Sequence, residues 1–211
     1  MHVTRLQHST LVLENEGGRL LIDPGNFTPD LGDVSGIVGV VITHEHADHW
    51  TPEHLATVLA ANPGIPIFST AAVAEAADAD VTAVSPGDRV EAGPFRLAFH
   101  GHDHAIIHAS IPRIRNLGVF VDETLFYGGD ALATPELERI PVLATPSGAP
   151  WLKIGEVMDY VTAVRPGVAF PVHDALLAEP GRALASVRLG EAMAGVGGRW
   201  VDLRDGQSLD A

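Results

Sequence analysis

The sequence predicts a single α/β domain spanning residues 1–211. Short apolar runs of the strand type come first and then alternate with longer segments of the helical type. No Ser/Gly-rich linker, charge block or low-complexity tract divides the chain, and its length suits one domain. Hydrophobic residues make up 46% of the chain and charged residues 19%, which allows a sizeable buried core.

The strands are predicted from short apolar runs bounded by turn residues. Asn15 to Gly18 forms a hairpin turn between the first two runs. The run from Gly36 to Thr43 is continuously apolar and β-branched, which indicates a strand buried on both faces. Strands are predicted at residues 11–13, 20–22, 36–43, 65–69, 95–99, 117–121, 125–127, 142–144 and 168–172.

The helices are predicted from their start signals and from alanine-rich or amphipathic runs. Thr51 suits an N-cap and Pro52 the first turn, so a helix should run to about Ala61. Further helices are predicted at residues 71–79, at residues 154–164 and from about residue 182. Residues 200–209 should close the chain as a small hairpin around Arg204-Asp205-Gly206.

Composition excludes several classes of partner. The formal charge is −14, which opposes binding to nucleic-acid phosphates and to anionic membrane surfaces. The longest apolar run, residues 37–42, is too short to span a bilayer, and the N-terminus lacks the apolar core of a signal peptide. Cysteine is absent, so any metal must bind to His, Asp or Glu, and a reducing cytoplasm is compatible with the composition.

The most informative motif is His44-x-His46-x-Asp48-His49, which follows the buried strand at 36–43. Neutral imidazole and carboxylate are the ligands of zinc and similar divalent metals. His44 and His46 point the same way if the chain is extended, whereas Asp48 and His49 are adjacent and must point elsewhere unless the backbone turns. One loop can therefore provide ligands to two neighbouring ions.

Three later segments also place His or Asp at the end of a predicted strand. A second histidine cluster contains His100, His102, His104 and His108. Asp130 follows two glycines after the strand at 125–127, and His173 ends the strand at 168–172. Side chains at the ends of neighbouring strands can meet at one edge of a sheet, and a metal centre requires several ligands that close together. His8, before the first strand, could also line such a site.

These motifs, together with Leu21-Ile22-Asp23-Pro24-Gly25, resemble the metallo-β-lactamase-fold hydrolases over about residues 8–174. The compact chain is similar to the L-ascorbate-6-phosphate lactonase-like branch. The resemblance implies a four-layer αββα sandwich with two metal positions. It assigns His44, His46 and His104 to the first metal, Asp48, His49 and His173 to the second, and Asp130 to a bridge between them. His102 and His108 are the alternatives to His104.

The resemblance also implies a mechanism. Two cations about 3.5–4 Å apart would share a water and lower its pKa, and the hydroxide would attack a carbonyl or phosphoryl centre. Asp48 could orient or deprotonate that water. Zinc is the first choice for nitrogen and oxygen ligands, with manganese or iron as alternatives. The substrate is expected to be a small anionic molecule such as a lactone, ester, amide or phosphoester.

Two loops are candidates for substrate binding. Arg113 and Arg115 could hold a phosphate or carboxylate, and Trp151 lies in a Pro/Gly-rich loop that could overhang the rim. Ordinary surface or packing roles remain open for all three. Two other functions also remain open. One is a phosphodiesterase or nuclease of the same fold, which the negative charge disfavours for polynucleotides. The other is a non-catalytic metal-binding protein.

Overall fold

Two sheets of seven strands each lie face to face in the computed structural model, which describes residues 1–101, 103–137 and 139–211. The strands are β1 His2–Arg5, β2 Leu11–Asn15, β3 Gly18–Ile22, β4 Ile37–Val41, β5 Ile67–Ser69, β6 Thr82–Ala83, β7 Arg89–Ala92, β8 Phe95–His100, β9 Gly118–Val121, β10 Leu125–Tyr127, β11 Val142–Pro146, β12 Val168–Val172, β13 Arg199–Trp200 and β14 Ser208–Asp210. The helices are α1 Pro52–Ala61, α2 Ala71–Ala76, α3 Ile154–Val164 and α4 Glu179–Gly195.

Each sheet is half antiparallel and half parallel. The first has the order β14-β1-β2-β3-β4-β5-β6 and becomes parallel from β3 onward. The second has the order β13-β12-β11-β10-β9-β8-β7 and is parallel from β13 to β10. β10, β11 and β12 run parallel in the second sheet, so the loops after β10 and β12 leave the same edge, and the loop after β4 of the facing sheet meets them there.

Three apolar layers produce the αββα sandwich that the sequence predicted. The inner faces of the two sheets pack against each other through residues such as Leu13, Phe95 and Phe170. Helices α1 and α2 pack through Leu55 and Val73 on the outer face of the first sheet, and α3 and α4 pack on the outer face of the second sheet. The expected fold class is therefore confirmed. In the described ranges, no helix combines the length and apolarity needed to cross a bilayer.

The predicted start of α1 is confirmed, whereas α2 and α4 differ from their predicted bounds. The side chain of Thr51 accepts a hydrogen bond from the backbone N–H of His54, and α1 begins at Pro52 as predicted. The helix predicted from residue 182 begins earlier, at Glu179, because Pro180 occupies its first turn. The helix predicted at 71–79 ends at Ala76, and Val73 is its only buried residue.

The predicted C-terminal hairpin is wrong. Arg199–Trp200 pairs with β12 in the second sheet, whereas Ser208–Asp210 pairs with β1 in the first. The two strands belong to different sheets because each finds a longer strand edge to pair with. The C-terminal segment therefore links the two sheets, and Arg5 of β1 donates to the carbonyl of Leu203 within it.

Candidate metal centre

The loop after β4 is held by the turn after β3. Asp23 has a φ of 48°, in the left-handed region, and its two carboxylate oxygens accept from the backbone N–H and the hydroxyl of Thr43. A side chain on Gly25 would collide with the backbone of Asp48, so only glycine permits this close approach. The histidine-rich loop is thus fixed against a neighbouring strand end before any metal contributes.

Among the described residues, two groups of side chains that could hold a metal ion lie at this rim, each with its nitrogen and oxygen atoms within 4.8 Å of one another. We call them the His44 group and the His173 group. The His44 group consists of His44, His46, His104 and Asp130. The His173 group consists of His8, Asp48, His49 and His173.

Asp130 lies between the groups. One oxygen is 3.1 Å from Nε2 of His49, and the other is 3.2 Å from Nε2 of His104 and 3.0 Å from Nε2 of His173. Among the described residues, Nε2 of His49, Nε2 of His173 and Oδ1 of Asp130 are buried without a hydrogen-bond partner. Buried polar atoms that point at one another without bonding suit a shared cation. The donor set therefore fits divalent metal.

When neutral, three of the imidazoles direct the lone pair of Nε2 towards the centre. Nδ1–H of His49 donates to Asp23 at 2.7 Å, that of His104 to the carbonyl of Ala105 at 2.6 Å, and that of His173 to the carbonyl of Gly148 at 2.9 Å. A neutral imidazole with its proton on Nδ1 has its lone pair on Nε2. These outer acceptors set the ring orientation needed for a ligand.

His8 is the other neutral tautomer, with its proton on Nε2. Its Nδ1 accepts from the backbone N–H of Ala175 at 3.2 Å, so the proton of the neutral ring is on Nε2. Nε2–H faces Oδ2 of Asp48 at 3.2 Å, and the His8 carbonyl accepts from the backbone N–H of His173. Although His8 is close enough to share an ion, its Nε2 lone pair is unavailable. We infer that it positions Asp48 and His173.

Removing the His8 side chain tests this role. We expect His8→Ala to weaken binding at one of two metal positions by about 10- to 100-fold, the usual effect of losing a group behind a ligand. His8→Gln should recover much of that affinity, because its amide can donate to Asp48. The measurement is a metal titration against a competing chelator. A saturating stoichiometry that falls by one ion, with no recovery in His8→Gln, would instead make His8 a ligand.

Charges within the centre compensate one another in the metal-free protein. Burial opposes the charged form of His173, but the Asp130 carboxylate outweighs burial and raises the pKa of His173 to about 10. The pKa of His49 is also raised, against burial, by Asp130 and Asp23. Burial favours neutral Asp130, but His49 and His173 lower its pKa well below the usual range. Metal requires neutral imidazole, so binding releases these protons.

His44, His46 and His8 favour the neutral form. Burial, assisted by the charge of His49, holds the pKa of His44 well below its ordinary value. Burial also lowers the pKa of His46, with a further contribution from His104, and it lowers the pKa of His8. Burial alone would raise the pKa of Asp48, but His173, whose Nε2 is 3.4 Å away, and the hydrogen bond from His8 lower it overall. Asp48 is therefore an anion, suited to a cation and weak as a base.

The seven predicted ligands all lie in the two groups, in the division that the resemblance implied: His44, His46, Asp48, His49, His104, Asp130 and His173. Their role as ligands stays a prediction. Of the alternatives to His104, His108 is exposed and pairs with Ser110, and His102 lies outside the described residues. His8 was expected only as a residue that could line the site, and its contact with Asp48 and the contact of Asp23 with Thr43 were not predicted. A left-handed φ marks both His8 and Asp23, but sequence does not reveal it.

The predicted substrate residues are placed differently from one another. Nε1–H of Trp151 donates to Asp130 at 3.0 Å, and its ring lies against His104 and His173. Nε–H of Arg113 donates to the carbonyl of His104, and its guanidinium borders the cleft beside that residue. The Arg115 side chain is 71% exposed and pairs with Asp103 at 3.0 Å.

Comparison with known protein families gives a match over most of the chain. The model of the β-lactamase superfamily domain matches residues 2–173. Protein Rv0786c of Mycobacterium tuberculosis is 37% identical over 196 residues, which are 90% of this chain and 92% of that protein. A UPF0173 metal-dependent hydrolase of Aeropyrum pernix is 25% identical over 202 residues, 81% of each chain.

A solved structure supports the same architecture. Igni18, described as a metallo hydrolase from Ignicoccus hospitalis, superposes with a TM-score of 0.72 at 18% identity. The superposition covers 99% of this chain and 97% of that one. At this identity the likeness establishes the fold.

Proposed function

Because the chain belongs to the β-lactamase superfamily domain family, we propose that it is a hydrolase whose active site binds two divalent metal ions. The observation that carries this proposal is the position of Asp130 between two groups of imidazole and carboxylate ligands. A carboxylate can bind one cation through each oxygen, so the arrangement favours two adjacent ions over one.

The family relationship supports hydrolysis, and the donor set supports the choice of metal. The A. pernix relative is named a metal-dependent hydrolase. In the candidate centre the proposed ligands are only imidazole and carboxylate, which zinc accepts readily and manganese or iron also accept. We propose zinc. The substrate is a small molecule with a carbonyl or phosphoryl centre, for example a lactone, ester, amide or phosphoester.

Two divalent ions in such a site lower the pKa of water and polarise the reacting oxygen. The protein's own residues prepare that chemistry. His44, His46 and His104 would hold one ion, and His49, His173 and Asp48 the other. Asp48 is kept anionic by the hydrogen bond from His8 and by the nearby His173, so it would accept a hydrogen bond from the attacking water and orient it, and it would be a weak base.

Metal analysis combined with an activity panel tests the proposal. We expect the purified protein to bind two divalent ions per chain and to hydrolyse at least one ester, lactone, amide or phosphoester. Asp48→Ala and His173→Ala should lose turnover, while Asp78→Ala, at an exposed carboxylate outside both groups, should retain it. Full turnover after exhaustive chelation, or a protein that binds no divalent ion, would exclude a metal-dependent hydrolase.

A further inference from the structure

The cavity over the two metal groups has apolar walls. Its volume is about 270 Å³, and ligand residues of both groups form its floor. Apart from Asn26 and Ala47, the other lining residues are large and apolar or proline: Phe27, Ile107, Pro150, Trp151 and Leu176. The part of a substrate that faces away from the metals would therefore contact mainly apolar side chains.

A larger groove adjoins the cavity and shares part of its wall. Ile107, Pro150 and Trp151 line both spaces, and the groove extends over Leu132 and Tyr160 with a volume of about 870 Å³. We call this space the acyl groove. Ligand pockets of roughly 300–1,000 Å³ accommodate organic molecules of drug size. The body of a substrate that reacts at the metals can thus contact the same three residues from the groove side.

Exposed apolar side chains gather at the same place. Ile106 is 66% exposed and lines the acyl groove, Ile111 is 46% exposed beside His46 and His104, and Leu176 is 55% exposed over the cavity. Large apolar residues that cluster in the open around a cleft commonly mark a binding surface.

The charged residues of the acyl groove neutralise one another. Arg113 and Lys153 are balanced by Glu156 and Asp159 among the lining residues. Lys153 lies 3.7 Å from Glu156, and Arg113 lies 3.6 Å from Asp103. The groove therefore has no surplus positive charge to bind a second anionic group on the substrate.

We propose that the acyl groove binds an uncharged hydrocarbon chain or ring attached to the reacting carbonyl. This inference rests on the proposed function and narrows its substrate class to hydrophobic esters or lactones. Trp151 forms the wall where the reacting carbonyl meets its chain. Each methylene buried in the groove should improve kcat/KM by up to about fourfold until the groove is filled.

The proposal is tested first by binding, without turnover. The metal-loaded protein is titrated by calorimetry with acetate, butyrate, hexanoate and octanoate, and with suberate, the dicarboxylate of octanoate length. Affinity should rise with chain length, and octanoate should bind at least tenfold more tightly than suberate. Equal affinities across the series, or tighter binding of suberate, would overturn the proposal.

Variants locate the binding to the groove. Ile107→Ser should weaken octanoate binding by about tenfold with two ions still bound, since burial of the chain loses one wall. Leu184→Ser, at a 57% exposed position on α4, is the matched control and should bind octanoate normally. If the protein is a dimer that Ile106→Asp dissociates, and octanoate does not bind, a second copy covers the groove and the proposal is wrong.

Kinetics separates this inference from the proposed function. p-Nitrophenyl esters from acetate to decanoate should be hydrolysed with kcat/KM rising along the series. If octanoate binds as expected and no substrate of any class is hydrolysed, the groove stands and the hydrolase assignment fails. If esters are hydrolysed without dependence on chain length, the hydrolase stands and the apolar substrate class fails.

Discussion

The Asp130→Asn substitution is expected to lower kcat/KM by more than about 100-fold and to reduce metal content at both positions. Loss of a residue that hydrogen-bonds to a metal ligand already lowers metal affinity or activity by about 10- to 100-fold. Asp130 contacts residues of both the His44 group and the His173 group, so its loss should have a larger effect. Asparagine keeps the shape of the side chain but removes its charge and one acceptor oxygen. The two effects should therefore appear together.

Metal content by mass spectrometry and steady-state rates on one active substrate measure this outcome. Asp78→Asn is the matched control because Asp78 is an exposed carboxylate outside both groups. Circular dichroism should show that both variants are folded. A folded Asp130→Asn protein that binds two ions and turns over normally would disprove the bridging role of Asp130.

The Arg5→Met substitution is expected to destabilise the protein by about 3–5 kcal/mol, the usual cost of removing one partner of a buried ion pair. Arg5 is fully buried and pairs with Asp174 and, at 3.1 Å, with Asp205. Without Arg5, the buried carboxylate of Asp174 keeps, among the residues that the structure describes, only Arg182 as a cationic partner, at 3.7 Å.

Urea unfolding of the metal-loaded protein measures the loss. Arg96→Met, at a side chain that is 70% exposed, should change the free energy of unfolding by less than about 0.5 kcal/mol. The double variant Arg5→Met, Asp174→Asn should be more stable than Arg5→Met, because the uncompensated charge is then absent. A loss below about 1 kcal/mol in Arg5→Met would show that the buried pair adds little.

The location of Arg5 explains why this distant pair matters to the centre. Asp174 directly follows His173, whose φ of 57° lies in the left-handed region. Strained backbone of this kind persists only where surrounding contacts hold it. The pair anchors Asp174 to β1 and to the C-terminal segment, so the conformation of His173 depends on residues near both chain ends.

Much of the fold could be predicted from local sequence. The Gly36 to Thr43 run and the Thr51-Pro52 cap were reliable because hydrophobic burial and helix capping depend on neighbouring residues. The C-terminal hairpin was predicted wrongly because strand pairing depends on which distant edge is available. β13 and β14 found edges in different sheets.

The role of the predicted substrate residues stays a prediction. From the sequence, Arg113 and Arg115 could hold a phosphate or carboxylate of the substrate or could be ordinary surface residues. In the structure Arg115 pairs with Asp103, and Arg113 donates to the carbonyl of His104. The cavity walls are formed by Phe27, Ile107 and Leu176, residues that carry no chemical motif. This difference led us to propose a hydrophobic substrate.

By itself, the sequence determined the His44-x-His46-x-Asp48-His49 motif and the His or Asp residues at later strand ends, and its resemblance to the metallo-β-lactamase-fold hydrolases implied the set of candidate ligands. Only the tertiary structure decided how those residues act. His8 contacts Asp48 across 40 positions and accepts from Ala175 across 167, and these two contacts place its proton on Nε2. Protonation, partner choice and pocket polarity depend on atoms brought together by folding, and distance along the chain does not reveal them.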